Sequence, residues 1–133
     1  MELRRAMIFV KDLERMTAFY RDGMGLRLLP EATQEGWVEF QAGGSTLALH
    51  AIPPHIAKDI DITDPPQARE QTPIKLVFET PDLKAARDHL IAQGAVMHPP
   101  RHAGSQAGNC DGLDPEGNVF QIVTTNPATP KAG

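Results

Sequence analysis

Apolar and polar side chains alternate from residue 5 to residue 10. Ala6, Ile8 and Val10 fall on one side and Arg5, Met7 and Phe9 on the other, which predicts a strand with two unlike faces. Asp12 follows as a helix cap, because its carboxylate can accept the free N–H groups of a first turn. Leu13, Met16, Phe19 and Tyr20 then recur at helical spacing, and Gly23 and Gly25 end the helix. Strands are predicted over 26–30, 37–41 and 46–52, the last two joined by a hairpin at Gly43-Gly44. Residues 53–72 break this order: Pro53, Pro54, Pro65 and Pro66, with Asp59, Asp61 and Asp64, read as a linker or covering loop.

The second half repeats the plan. A strand over 74–80 places Ile74, Leu76 and Phe78 on one face and Lys75, Val77 and Glu79 on the other. Asp82 caps a helix carrying Leu83, Ala86, Leu90 and Ile91, which Gly94 stops. Strands over 95–98, 108–113 and 119–124 complete the copy, with Asp114-Pro115-Glu116-Gly117-Asn118 as the turn between the last two. Asp82-Leu83 repeats Asp12-Leu13 at an offset of 82 − 12 = 70, and Lys75 repeats Arg5 at the same offset.

Each half is strand–helix–strand–strand–strand. A half of roughly 50 residues cannot cover both faces of its own sheet. The expected fold is therefore α+β: two βαβββ modules, about 3–52 and 73–125, pair their curved mixed sheets around a cavity with helices outside. One domain over 3–125 and a frayed tail over 126–133 follow, and the modules can pair within one chain or between two.

Composition narrows the function. In 133 residues, 41% hydrophobic and 23% charged, the formal net charge of −4 and the lack of a basic stripe argue against nucleic acid. No apolar run approaches the ~20 residues of a membrane span, and the first residues lack the apolar core of a signal peptide, so a cytoplasmic protein is expected. Cys110 is the one cysteine, which excludes an intrachain disulfide, and no base stands near it in sequence to activate a thiol.

Several stretches carry a family likeness: Phe9-Val10-Lys11-Asp12-Leu13, Ala18-Phe19-Tyr20-Arg21-Asp22, Gly25-Leu26, Gly43-Gly44 with Leu47-Ala48-Leu49-His50, and Asp114-Pro115-Glu116-Gly117-Asn118. In these the chain resembles the vicinal oxygen chelate superfamily of glyoxalase I, bleomycin-resistance proteins and extradiol dioxygenases. The resemblance implies a homodimer that binds a small molecule. Metal-dependent members take ligands, usually His, Glu or Gln, from the first and last strand of each module. Carried over by position, those places hold Arg5, His50, Lys75 and Gln121. Arginine and lysine offer no lone pair at neutral pH, so the family's metal site is expected to be missing and no metal ligand is assigned.

A metal-free binder of a polar or anionic metabolite or drug is the reading this favours, with no cofactor. Arg5, His50, Lys75 and Gln121 would hold the ligand, and Phe9 and Trp37 would stack on it. The plainer alternatives are that Arg5 and Lys75 pair with Glu39 or Glu79, and that the aromatics pack in the core. The competing function is a lyase, isomerase or dioxygenase using a divalent ion (Zn, Ni, Mn or Fe), with His50 and Gln121 as its remaining ligands. No catalytic residue is assigned. His98 and His102, separated by Pro99 and Pro100, fall in a segment over 98–105, with Arg101, Gly104 and Ser105, read as a flap over the pocket.

Overall fold

A computed structural model describes residues 1–69, 74–102 and 108–124. The predicted tail after Asn126, the end of the linker, and Gly104 and Ser105 of the predicted flap lie outside the described residues. The chain divides into two compact units, Met1–Thr63 and Asp64–Gly133. Each contains one mixed sheet, and the α+β class is as predicted.

In the first unit, β1 (Arg5–Val10) lies parallel to β4 (Ser45–Ala51), which is antiparallel to β3 (Trp37–Ala42), and β3 is antiparallel to β2 (Arg27–Leu28). The order is β1-β4-β3-β2. Helix α1 (Leu13–Ala18) starts where Asp12 accepts from Arg15 N at 3.0 Å, and it continues as a π turn over Phe19–Gly23. Gly25 follows with φ 71°, a left-handed conformation that costs glycine least. The core is built from the strand faces predicted to be apolar: Val10, Val38, Phe40, Leu47 and Leu49 are buried with Met16, Phe19 and Tyr20 of the helix. The predicted strand over 26–30 is shorter than expected, because Pro30 opens a 3-10 turn, Pro30–Ala32. The linker is not irregular throughout. Pro54–Ala57 forms a short helix, α2, whose Ala57 is buried, and the Lys11 ammonium donates to the Ile60 carbonyl.

The second unit has the order β5-β9-β8-β6, with β7 also on β8. β5 (Leu76–Glu79) is parallel to β9 (Val119–Thr124), and β9 is antiparallel to β8 (Gly108–Leu113). β6 (Val96–Met97) and β7 (Arg101–His102) are both antiparallel to β8. Part of the segment predicted as a flap is therefore strand: Arg101 and His102 pair with Asn109 and Gly108. Two consecutive prolines hid it, since they interrupt the alternation on which strand prediction depends. Helix α3 (Leu83–Ala92) is capped by Asp82, which accepts from Ala85 N at 3.0 Å, and it buries Leu83 and Leu90.

The turn between β8 and β9 is the best-fastened loop of this unit. The fully buried Asp114 carboxylate accepts from Glu116 N at 2.9 Å, Asn118 N at 2.9 Å and Asn118 Nδ2 at 2.8 Å. Gly117 has φ 83°, and a side chain there would collide with the Gln67 carbonyl. Arg69 bonds both the backbone and the carboxylate of Glu116, which ties the incoming chain to the turn. Replacing Asp114 with alanine orphans the buried Glu116 amide and the half-buried Asn118 amide as well as removing the charge. Asp114→Ala should therefore cost roughly 3 kcal/mol or more, read from urea denaturation, and a change below 1 kcal/mol would contradict this role.

Candidate functional site

The two sheets turn a polar face opposite their apolar one, and all six predicted site residues lie on these polar faces. In the first unit the face carries Arg5, Met7 and Phe9 from β1, Thr46, Ala48 and His50 from β4, Trp37, Glu39 and Gln41 from β3, and Arg27 from β2, as the pairing registers require. Arg5 Nη2 donates to Glu39 Oε2 at 3.3 Å, and the Trp37 indole donates to the other oxygen, Oε1, at 3.1 Å. Arg5 also lies 5.9 Å from the Trp37 ring centroid. The His50 ring sits between two aromatics, with centroids 5.5 Å from both Phe9 and Trp37. Phe9 is 51% exposed and Met7 42%, so this face is open, whereas Glu39 is only 5% exposed.

Glu39 is the electrostatic centre of the face. Burial pushes its carboxyl up, but the neighbouring Thr46 hydroxyl, the Trp37 indole and the Arg5 guanidinium together outweigh burial and hold it below the ordinary value. Two polar atoms of this face, Arg5 Nε and Thr46 Oγ1, are buried with no hydrogen-bond partner among the described residues.

In the second unit, Lys75 Nζ lies 3.1 Å from Asp111 Oδ2, Arg101 Nη2 lies 2.9 Å from the same oxygen, and Gln121 Nε2 donates to Oδ1 at 2.9 Å. Lys75 thus pairs with Asp111, not with Glu39 or Glu79 as the sequence offered. Burial again pushes the acid up, and Gln121, Lys75 and Arg101 bring it below the ordinary aspartate value. Cys110, beside Asp111, points to the opposite face, is fully buried and lies 2.9 Å from the His98 carbonyl oxygen. Burial raises its thiol, which keeps it protonated and unreactive at neutral pH.

The registers also say which positions are equivalent. Glu39 stands opposite Ala48 on β4, and Asp111 opposite Gln121 on β9. Arg5 aligns with Thr46, two residues before Ala48. Lys75, one residue before the Leu76–Phe120 pair, aligns with Val119, two before Gln121. Arg5 and Lys75 are therefore true counterparts, as are Glu39 and Asp111. The counterpart of Gln121, however, is Ala48 rather than His50, whose own counterpart is Val123. Sequence offset missed this because it drifts from 75 − 5 = 70 on the first strands to 111 − 39 = 72 and 121 − 48 = 73 on the later ones. It also missed Asp111, Asn109 and Arg101, although alternation along 108–113 puts Asn109 and Asp111 on the same side as Gln121.

Neither face suits a divalent ion. Among the described residues no group of three or more His, Cys, Asp or Glu is placed to hold one. The register-matched positions supply a guanidinium, a methyl group, an ammonium and one amide already bonded to Asp111. A divalent ion about 4 Å from either cation would be opposed by roughly 8 kcal/mol at an effective dielectric near 20.

A family model for the Glyoxalase/Bleomycin resistance protein/Dioxygenase superfamily matches residues 2–122. Among solved structures, a glyoxalase/bleomycin resistance protein/dioxygenase family enzyme from Burkholderia phytofirmans PsJN is 24% identical. The match covers 95% of this chain and 100% of that one, with a TM-score of 0.69. A glyoxalase-related enzyme from Fulvimarina pelagi is 18% identical over 98% and 92% of the two chains, with a TM-score of 0.72. A mutant of the fosfomycin resistance protein FosX from Listeria monocytogenes is 16% identical over 91% and 87%, with a TM-score of 0.67. It was crystallised with Mn(II) and 1S,2S-dihydroxypropylphosphonic acid. Comparison with curated protein sequences gives no match.

Both carboxyls titrate lower in the folded chain than in the unfolded one, so the unfolded chain binds more protons through the acid range. Their stabilisation is full above the ordinary carboxyl values of 4.5 and 3.8 and is lost as pH falls through the lowered ones. Stability measured by urea denaturation should therefore drop from pH 5 to pH 2.5, and Glu39→Gln should flatten part of that drop. An equal drop in the variant would count against Glu39 as a contributor.

Proposed function

Because the chain belongs to the glyoxalase/bleomycin resistance protein/dioxygenase superfamily, we propose that it is a metal-free, small-molecule-binding member that takes a polar or anionic metabolite or drug. The binding groups are Arg5 and His50 of the first unit and Lys75 and Gln121 of the second, with Phe9 and Trp37 as stacking surfaces. The observation that carries this reading is a pair of buried polar atoms on this face, Arg5 Nε and Thr46 Oγ1, that have no hydrogen-bond partner among the described residues. A buried donor without a partner costs about 1–3 kcal/mol, and an acceptor oxygen brought by a ligand removes that cost. The open aromatic flank at Phe9, His50 and Trp37 supports the same reading, since it offers planar apolar surface beside the donor.

This reading differs from a general anion trap. Arg5 and Glu39 together are neutral, so this pair and the rings beside it favour a guest with an acceptor oxygen on a planar or apolar body. Exposed apolar side chains, Met7 on the first unit and Val77 on the second, also support a homodimer, which would cover some of them. No described helix is long and apolar enough to cross a membrane. The second reading, a divalent-metal lyase, isomerase or dioxygenase, is favoured by the FosX relative crystallised with Mn(II).

Elemental analysis of the purified protein separates the two readings. The metal-free one expects well under one equivalent of Mn, Fe, Ni or Zn, and a stoichiometric ion that survives dialysis would overturn it. In a thermal-shift screen of aromatic carboxylates, the Arg5→Gln/Glu39→Gln double variant, which removes both charges together, should bind any stabilising hit at least tenfold more weakly. Unchanged affinity would remove Arg5 from the site.

A further inference from the structure

In the second unit two cations gather on one carboxylate. One cation is enough to neutralise Asp111, yet Lys75 and Arg101 both lie against the same oxygen, at 3.1 Å and 2.9 Å. Gln121 occupies the other oxygen, and Arg101 Nε donates to Asn109 Oδ1 at 3.1 Å. These groups therefore hold two cations on one anion. Arg101 and Asp111 also line an open cleft of about 340 Å³, shared with His98, Leu113 and Val119. That volume is at the lower end of small-ligand pockets. The Arg101 side chain is 65% exposed, so its guanidinium reaches the cleft without breaking into the core.

We propose that Lys75 and Arg101 form an oxyanion site for a small molecule bearing a carboxylate or phosphate-type group, with Asp111 as its built-in counter-ion. The proposal rests on the small-molecule reading above and places an anionic ligand group at the Arg101 and Asp111 wall of this cleft, which Lys75 adjoins through the same Asp111 oxygen. The chemistry is complementary: the planar fork of Arg101 can grip two oxygens, and the Lys75 ammonium adds a point charge beside it. Asp111 has two opposite effects. It holds both cations side by side before a guest arrives, and it competes with the guest for them. Gln121 and Asn109 fix the acid and the guanidinium respectively, so the cluster is preorganised by neutral hydrogen bonds.

This arrangement gives a sign that a purely structural ion-pair network would not. Asp111→Asn keeps the shape and an oxygen for Gln121, but it removes the competing charge. Anion affinity should then rise.

The test is a ¹H–¹⁵N correlation titration of the full chain with inorganic phosphate and, separately, malonate, at constant ionic strength. Saturable shifts at the Gln121 side-chain amide and the Arg101 Nε are expected with at least one probe, and which probe saturates distinguishes phosphate from carboxylate. Arg101→Gln should weaken binding at least tenfold and Asp111→Asn should tighten it at least threefold. Arg21→Gln, which removes an exposed arginine paired with Asp22, should change nothing. Linear, unsaturated shifts with both probes would overturn the site, as would equal midpoints in wild type, Arg101→Gln and Asp111→Asn. Binding kept in Arg101→Gln but lost in Arg5→Gln/Glu39→Gln would overturn this site and leave the broader binding reading standing. Thermal melting of Arg101→Gln checks that a loss of binding is not a loss of fold.

Discussion

A cation at the start of each unit's first strand, Arg5 in β1 and Lys75 just before β5, pairs with an acid of its own sheet, and the strand order sets how it does so. β1 and β3 flank β4, so a bond from Arg5 to Glu39 spans two strand spacings, about 10 Å between backbones. Only a long side chain covers that distance. The bridge passes over β4 beside Ala48, whose methyl group leaves room for it. Lys75 makes the same crossing to Asp111 over β9, where Gln121 stands in place of the alanine and donates to the acid. The ion pair thus ties together the first and third strands of each sheet, which do not pair with each other.

That crossing also decides the chemistry left for a guest. On the polar face of the first unit Arg5 is matched by Glu39, and what remains is Arg5 Nε and Thr46 Oγ1, buried without partners among the described residues, beside a cluster of aromatic rings and an imidazole. In the second unit a second cation joins the pair at Asp111, and among the described strand residues the polar face carries no Phe, Tyr or Trp. The two units share a framework but present different binding surfaces. Charge supplied by side chains also differs from charge supplied by a metal ion: it comes with directed N–H donors, and it is partly neutralised by the acid that positions it.

Much of this was legible in the sequence. Alternation placed β1, β3, β4, β8 and β9 within a residue or two, and Asp12 and Asp82 marked both helix starts, because these signals are local. The short strands were harder. Pro30 cuts β2 to two residues, and Pro99 and Pro100 masked β7, whose pairing depends on a partner several residues away. The candidate site was half legible for a related reason. Arg5, Lys75, His50 and Gln121 could be picked out by type and by face, but their partners lie 34, 36 or 10 positions away and depend on register. Glu39 was among the partners considered, whereas Asp111 was not, since nothing local separates it from an exposed strand acid.

Register is also what separates His50 from Gln121. Read by offset, the two look like the matching ends of one repeated site, and as neutral lone-pair donors they are the natural remnant of a metal centre. Read by strand pairing, Gln121 matches Ala48 and His50 matches Val123, so they stand two residues apart in the frame of a single module. Two residues along a strand is about 6.6 Å, too far for the two to be interchangeable donors at one point. A repeat that keeps its first strand in step while its later strands slip by two and three residues therefore preserves the cation–acid crossing, which only needs reach. It does not preserve a coordination sphere, which needs every ligand at a fixed distance from one centre.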